Sequence, residues 1–341
     1  MKRMFLFRSN LRILEKYHTI KDVETFEKEC HDFYLLMGIN FLRKNYIDEF
    51  IVWRLKPKNS NIKDIYFEIN NRKFIQKFVN SFKECFQYPK PFITLWRGGF
   101  KEYDDLTRNN YKFFSNLSLY LGAGKRVLPQ YGGKYDFILV EDEKDLNNNY
   151  SCLPFFKTAN SKIFKNLDLD KKYDICWPCN FSQIKYKGQE FFISIISKSL
   201  FLKSLKIIHI GNKPKDGMKL CNKYNVKNIN FMDWVDKKNL NKFMNESKFG
   251  INLSNIQDGC PRVSTEILSA GIPLLLRDTT RLLKYYKNDN VIIFNDNNIE
   301  LVIKEAFDNY HLYYNNIKQN DKISMDLICK KNFEIWLEKI T

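Results

Sequence analysis

From residue 173 onward, short apolar runs alternate with segments of helical spacing, and nothing else in the chain restricts its fold as much. Strand signals fall at 174–177, 206–210, 229–234, 249–253, 272–276 and 291–294. Helical spacing falls at 189–202, 216–224, 238–247, 282–286 and 300–310. The first helix shows it best, with Phe191, Phe192, Ile195, Ile196 and Leu200 on one face. Crossovers of this length join parallel strands, because an antiparallel pair needs only a hairpin. A parallel sheet with helices on both faces is therefore predicted.

The first 170 residues are less regular. Strands are expected at 50–55, 92–96, 126–128 and 137–140, and helices at 23–42 and 72–86. They predict a second, more divergent α/β domain. Residues 153–169 read as the connection between the domains, and residues 325–340 as an amphipathic C-terminal helix.

One loop and helix in the second half carry chemistry. Pro261 suits the first turn of a helix, where its missing N–H costs nothing. Gly271 suits the end, and Pro273 stops continuation. The run 258–273 thus reads as loop, short helix, tight turn and strand, with the helix opening beside a strand end. Such a helix N-terminus binds phosphate through free backbone N–H groups and its dipole. Asp258 and Glu266 bracket it with seven residues between. Glu266 lies roughly 7–8 Å along the helix, the right place for a ribose beside a bound diphosphate. An ordinary helix with a solvated glutamate fits the same spacing.

Asp258, Glu266 and the turn Gly271-Ile272-Pro273 resemble the E-x7-E element and following Gly-x-Pro of GT-B nucleotide-sugar glycosyltransferases, the group often called group 1 or family 4. Lys187-Gly188, between the first strand and first helix of that half, matches the family's Lys-Gly. The resemblance spans about 150 residues, from Tyr173 to Tyr310. Three positions depart from the pattern: Asp258 replaces the first Glu, Cys260 a phenylalanine, and Ser182 an arginine five residues before Lys187. Lys185 and Arg262 are the nearby cations able to compensate.

The resemblance implies an α/β protein of the GT-B class, two Rossmann-like domains facing across a cleft, with a C-terminal helix returning to the first. Residues 1–170 would bind the acceptor, 171–320 the nucleotide sugar, and 321–341 would form the returning helix. It further implies retaining, metal-independent transfer of a sugar from a nucleoside-diphosphate sugar to a hydroxyl of a glycan or lipid-linked acceptor. The nucleotide sugar is a co-substrate, and no cofactor is implied. Lys187 would stabilise the leaving diphosphate, Glu266 anchor the ribose and Asp258 orient the sugar hydroxyls. No general base is implied, because in this family the donor phosphate is thought to serve. The donor set also takes in Ser182, Gly211, Trp234, Val235, Gly259, Cys260, Pro261, Arg262 and Val263. Trp234 and Val235 border the base by analogy. In the first half, Arg97, Gly98 and Gly99 end a strand, where paired glycines let an acceptor approach the backbone.

Other motifs are weaker. Cys176 and Cys179 have thioredoxin spacing, but the helix begins too late to hold either thiol at its N-terminus. Gly122, Gly124 and Lys125 mimic a phosphate loop without its full spacing, and Arg126 stands where Ser or Thr belongs. Asp168 and Asp170 lie in the connector, and the four histidines lack metal-ligand spacing. His209, in an apolar strand, reads as core.

The formal net charge is +17. It favours an anionic membrane face, phosphorylated substrates or nucleic acid. The joint excess of Lys, Asn and Ile also follows from AT-rich coding. No RNP motif, zinc knuckle or helix-turn-helix supports nucleic acid, so none is expected as partner. No run approaches 18 apolar residues. Eight cysteines in a chain this long read as free thiols. The expectation is a cytoplasmic protein, with peripheral contact at the inner membrane face compatible with its charge. Two other classes stay open: a non-catalytic sugar-nucleotide or glycan-binding module, and a basic nucleic-acid-binding protein.

Overall fold

The computed structural model describes residues 1–8, 20–30, 32–56, 62–97, 114–121, 133–141, 145–146, 150–181, 187–255, 262–280, 284–286, 290–318 and 323–340. The chain divides into two compact units. The first is Met1–Phe156 with Met325–Thr341, and the second is Lys157–Ser324.

The first unit is built on an eight-stranded sheet. Its strands are β1 (Arg3–Arg8), β2 (Glu49–Leu55), β3 (Ile65–Ile69), β4 (Arg72–Val79), β5 (Ile93–Arg97), β6 (Leu117–Leu121), β7 (Phe137–Val140) and β8 (Cys152–Pro154). The order is β3-β4-β2-β1-β5-β6-β7-β8, parallel throughout except for the β3–β4 hairpin. Helices α1 (Val23–Glu29) and α2 (Phe33–Arg43) begin at Asp22 and Asp32, whose carboxylates accept from Thr25 N and Tyr34 N. The helix expected over 23–42 is thus two helices, each with its own acidic cap.

The 72–86 helix is a correction. Residues 72–79 form β4, paired with β2 on one side and β3 on the other. Asn70 and Asn71, at φ 51° and 60°, turn the hairpin, as a two-residue turn with both central residues left-handed requires. A separate 3-10 turn, Phe82–Gln87, follows behind a Ser81–Glu84 capping box. The strand expected at 126–128 lies outside the described residues. Strands β1, β3, β6 and β8 were not foreseen.

Alternate residues of the central strands build an aromatic layer. Phe7 stacks on Trp96 at 4.5 Å and on Trp53 at 6.3 Å. Trp96 also donates to Ser118 Oγ at 2.9 Å. Each such ring pair adds about 0.5–1.5 kcal/mol beyond area burial. The C-terminal helix Met325–Leu337 returns to this unit and packs on α2. Phe333 lies 4.6 Å from Tyr46 and 5.2 Å from Phe41, ring centre to centre. The buried Asn332 amide bonds both the N–H and the carbonyl of Phe156.

The second unit has six strands, all parallel. They are β9 (Tyr173–Pro178), β10 (Ile207–Ile210), β11 (Ile229–Met232), β12 (Ser247–Asn252), β13 (Leu274–Arg277) and β14 (Val291–Phe294), in the order β11-β10-β9-β12-β13-β14. The helices are α3 (Gln189–Ile196), α4 (Leu200–Ser204), α5 (Pro214–Lys223), α6 (Lys237–Asn245), α7 (Arg262–Ser269), α8 (Ile299–Asp308) and α9 (Tyr310–Lys318). The helix expected over 189–202 breaks in two, because Ser199 caps α4 by accepting from Leu202 N. Of the short helix expected at 282–286, only Lys284–Tyr286 is described, as a 3-10 turn.

The expected connector, 153–169, belongs mostly to the second unit. Asn241 and Asn245 on α6 exchange hydrogen bonds with the backbone of Lys165 and Leu167 and pin it there. The chain changes unit earlier, between Phe156 and Lys157. Among the described residues, no helix is long and apolar enough to cross a membrane.

Candidate functional site in the second unit

The second sheet reverses its winding at β9. The chain runs outward through β10 and β11 on one side, then through β12, β13 and β14 on the other. Open parallel sheets bind ligands at the carboxyl ends of the strands flanking such a reversal. A cavity of about 240 Å³ lies there. Trp177 and Pro178 of β9, Ile210 of β10, and Ile251 and Asn252 of β12 contribute to its walls. Cys179, Asn180, Lys187, Trp234, Val235, Lys237, Leu240, Leu253, Ser254, Arg262, Val263 and Glu266 complete the lining.

Lys187 enters just before α3. Gly188 takes φ 69° at the helix N-cap and offers no capping side chain. A Cβ there would lie 2.6 Å from the Leu253 carbonyl oxygen. Only glycine meets both the left-handed backbone and that approach. The start of α3, directly after Lys187, therefore has no side-chain cap.

Glu266 lies on the buried face of α7 and is only 8% exposed. Its Oε1 accepts from Lys237 Nζ at 2.7 Å. The same ammonium sits 5.4 Å from the Trp234 ring centre and 5.5 Å from that of Phe164. Lys237 is the first residue of α6, where a cation opposes the helix dipole. Its attraction to Glu266 and two aromatic faces accounts for that placement. Asn252, buried at the end of β12, donates to Ser264 Oγ at 2.7 Å and ties the strand to α7.

A glycosyl transferase-like family model matches residues 190–312, within this unit. Solved structures match nearly the whole chain. The lipopolysaccharide outer core galactosyltransferase WaaB aligns with TM-score 0.65 at 11% identity, over 99% of this chain and 100% of its own. A glycosyltransferase from Rickettsia africae gives 0.63 at 13%, over 99% and 98%. Sucrose-phosphate synthase from Thermosynechococcus elongatus gives 0.59 at 11%, over 100% and 96%. At such identities the likeness is one of fold. This chain has the GT-B fold, and its second unit carries the glycosyl transferase-like match. No curated protein sequence matches it.

Of the donor residues expected in this glycosyltransferase-like unit, Lys187, Trp234, Val235, Arg262, Val263 and Glu266 line one cavity. Ser182, Asp258, Gly259, Cys260 and Pro261 lie outside the described residues, as does Lys185. Gly211 does not line the cavity. A Cβ there would lie 1.7 Å from the Cys179 carbonyl oxygen, so this glycine lets the ends of β9 and β10 pass closely. Arg97 belongs to the first unit, and Gly98 and Gly99 are outside the described residues. Sequence reasoning missed Lys237. Its signal was a helix-starting lysine behind an Asp236 cap, in the short loop and helix that follow β11.

The Cys176–Cys179 pair lacks redox character. Both thiols are free, and Cys176 is buried in β9. Burial pushes both thiols well above the ordinary range, and the Lys187 charge and the Gln189 hydrogen bond only partly oppose this at Cys179. They stay protonated and poorly nucleophilic. Among the described residues, no three His, Cys, Asp or Glu side chains are placed to hold a metal ion.

His209 is a core residue behind the cavity. It is enclosed by Trp177, Phe181 and Phe231, and its Nε2 lies 3.3 Å from Cys179 Sγ. Burial lowers its pKa to about 3. The depressed value means the neutral ring contributes stability above the unfolded pKa near 6.5, and this is lost as pH falls toward 3. Each unit of pH in that window costs up to about 1.4 kcal/mol. Between pH 6.5 and 5, wild type is expected to lose about 1.6 kcal/mol more than His209→Gln in chemical denaturation. Equal losses in the two proteins would show that His209 titrates normally.

Proposed function

We propose that the second unit binds a nucleoside-diphosphate sugar and that the protein transfers its sugar, with retention and without a metal, to a hydroxyl of a glycan or lipid-linked acceptor. The observation that carries this reading is the cavity at the reversal of the second sheet, where Lys187, which directly precedes the uncapped start of α3, shares one space with Glu266. Cation and free N–H groups suit the diphosphate, and the carboxylate suits paired ribose hydroxyls. The exposed Trp234 indole at the rim offers a face for the base. At about 240 Å³ the cavity suits part of a donor rather than all of it.

In the proposed reaction, the bond between the anomeric carbon and the diphosphate oxygen breaks. A bond from the acceptor oxygen to that carbon forms on the same face. The acceptor proton leaves on the departing diphosphate. Lys187 and the α3 N–H groups stabilise the charge that develops there. Glu266 sets the register of the donor, and Lys237 holds Glu266. Asp258 orients the sugar hydroxyls, as the family likeness implies.

The test is a panel of UDP, GDP and ADP followed by thermal shift and calorimetry, then turnover of the matching sugar nucleotide. One diphosphate is expected to stabilise the protein. Glu266→Ala should weaken its binding at least about tenfold by removing charge-assisted bonds to the ribose. Unchanged binding by the variant would place the nucleotide elsewhere. Binding without turnover would leave a sugar-nucleotide-binding module.

A further inference from the structure

We propose that Arg8, Arg54 and Arg97 form a phosphate site at the carboxyl edge of the first sheet, which on the reading above takes a phosphate group carried by the acceptor. The strand register brings them together. Arg8 ends β1, Arg54 lies one residue from the end of β2, and Arg97 ends β5. Arg8 is the register partner of both Arg54 and Arg97. Register partners on neighbouring parallel strands project to the same face, about 4.8 Å apart along the hydrogen-bonding direction. The preceding residues Phe7, Trp53 and Trp96 build the aromatic layer of the opposite face. Three guanidinium groups thus stand side by side where an apolar face ends.

Their position has functional meaning. The first sheet also reverses its winding at β1, with β2 on one side and β5 on the other. Arg8 and Arg97 therefore flank the point where open sheets take ligands. The start of α2 adds to the site. Its Asp32 pairs with Arg8, and the Tyr34 ring lies under both cations, 5.9 Å from Arg8 Cζ and 4.2 Å from Arg97 Cζ. Tyr34 is itself fixed, stacked 5.8 Å from Phe155 with the rings nearly parallel.

Like charges crowded in a partly desolvated site repel one another. Desolvation, then Arg54, then Arg97 lower the Arg8 pKa to about 9. A phosphate relieves that repulsion. Its several acceptor oxygens match several guanidinium forks better than a single carboxylate does. Arg97, only half-buried, makes the direct contact, while Arg8 and Arg54, buried behind it, supply the field.

The experiment uses the full chain with the second unit saturated by the nucleoside diphosphate it binds. Inorganic phosphate, glucose 6-phosphate, glucose and phosphatidic acid vesicles are titrated at constant ionic strength. Phosphate and glucose 6-phosphate are expected to bind saturably, and glucose not at all. Arg97→Gln should raise the dissociation constant for phosphate about tenfold or more, with diphosphate binding unchanged. Should that variant misfold, Arg97→Lys keeps the charge, loses the fork and should weaken phosphate about threefold. Binding confined to the vesicles, and lost in the Arg97 variant, assigns the phosphate to a lipid. Phosphate binding that survives loss of Arg97, or no phosphate binding to protein that still takes the diphosphate, overturns the proposal. If no diphosphate binds, while phosphate binding still depends on Arg97, the donor reading alone fails.

Discussion

Replacing Lys237 by methionine is expected to destabilise the second unit by about 3 kcal/mol, because it strands a buried carboxylate. Glu266 and Lys237 side chains are 10% and 12% exposed, and their charged atoms meet at 2.7 Å. Removing one partner of such a pair leaves the other to bear its desolvation alone, a larger loss than the net worth of the pair. Methionine keeps an apolar stem against Trp234 and Phe164, so the change reports mainly the charge. The double variant Lys237→Met with Glu266→Gln removes both charges and should recover most of the loss. Chemical denaturation of the four proteins in this cycle measures the coupling. A single-variant cost under about 1 kcal/mol would mean that water screens the pair as it does at a surface. On the proposed donor reading, the single variant should also weaken nucleotide binding, since Glu266 would lose the group that fixes its position.

The second unit was legible because its physics is local. Parallel strands buried on both faces read as plain apolar runs, and helices between them have room to show their period. All six strand signals match observed strands within a few residues. The first unit hides the same architecture. Phe74, Ile75, Phe78, Val79 and Phe82 recur at helical steps, yet pairing with β2 and β3 makes residues 72–79 a strand. Tertiary pairing overrides period where a short run fits both. Met4 to Phe7 is an apolar run with no motif around it, yet it forms the interior strand β1. The candidate site divides along the same line. Lys187 and Glu266 stood out because each lies in a motif at a strand–helix junction. Lys237 did not, because its partner is 29 positions away and only packing brings the two together. The arginine row is likewise invisible in sequence, since Arg8, Arg54 and Arg97 are neighbours only through strand register.

Lys187→Ala is expected to lower kcat by about 10²–10³ with a smaller change in KM for the donor. The reason is where charge appears. In the proposed complex the ground-state diphosphate already carries charge, and Arg262, which lines the same cavity, remains beside it. As the sugar–oxygen bond breaks, further negative charge collects on the departing oxygen, and a fixed cation lowers that barrier more than it tightens binding. Gly188 gives Lys187 its position, since the left-handed turn and the approach to Leu253 fix where the side chain leaves the backbone. Lys187→Arg keeps the charge but replaces a compact ammonium with a planar fork, so it should recover only part of the rate. Steady-state kinetics on the matching sugar nucleotide, with diphosphate affinity measured separately, distinguish the two effects. A rise in KM at constant kcat would make Lys187 a uniform binding group, and leaving-group stabilisation would then fall to the helix N-terminus alone.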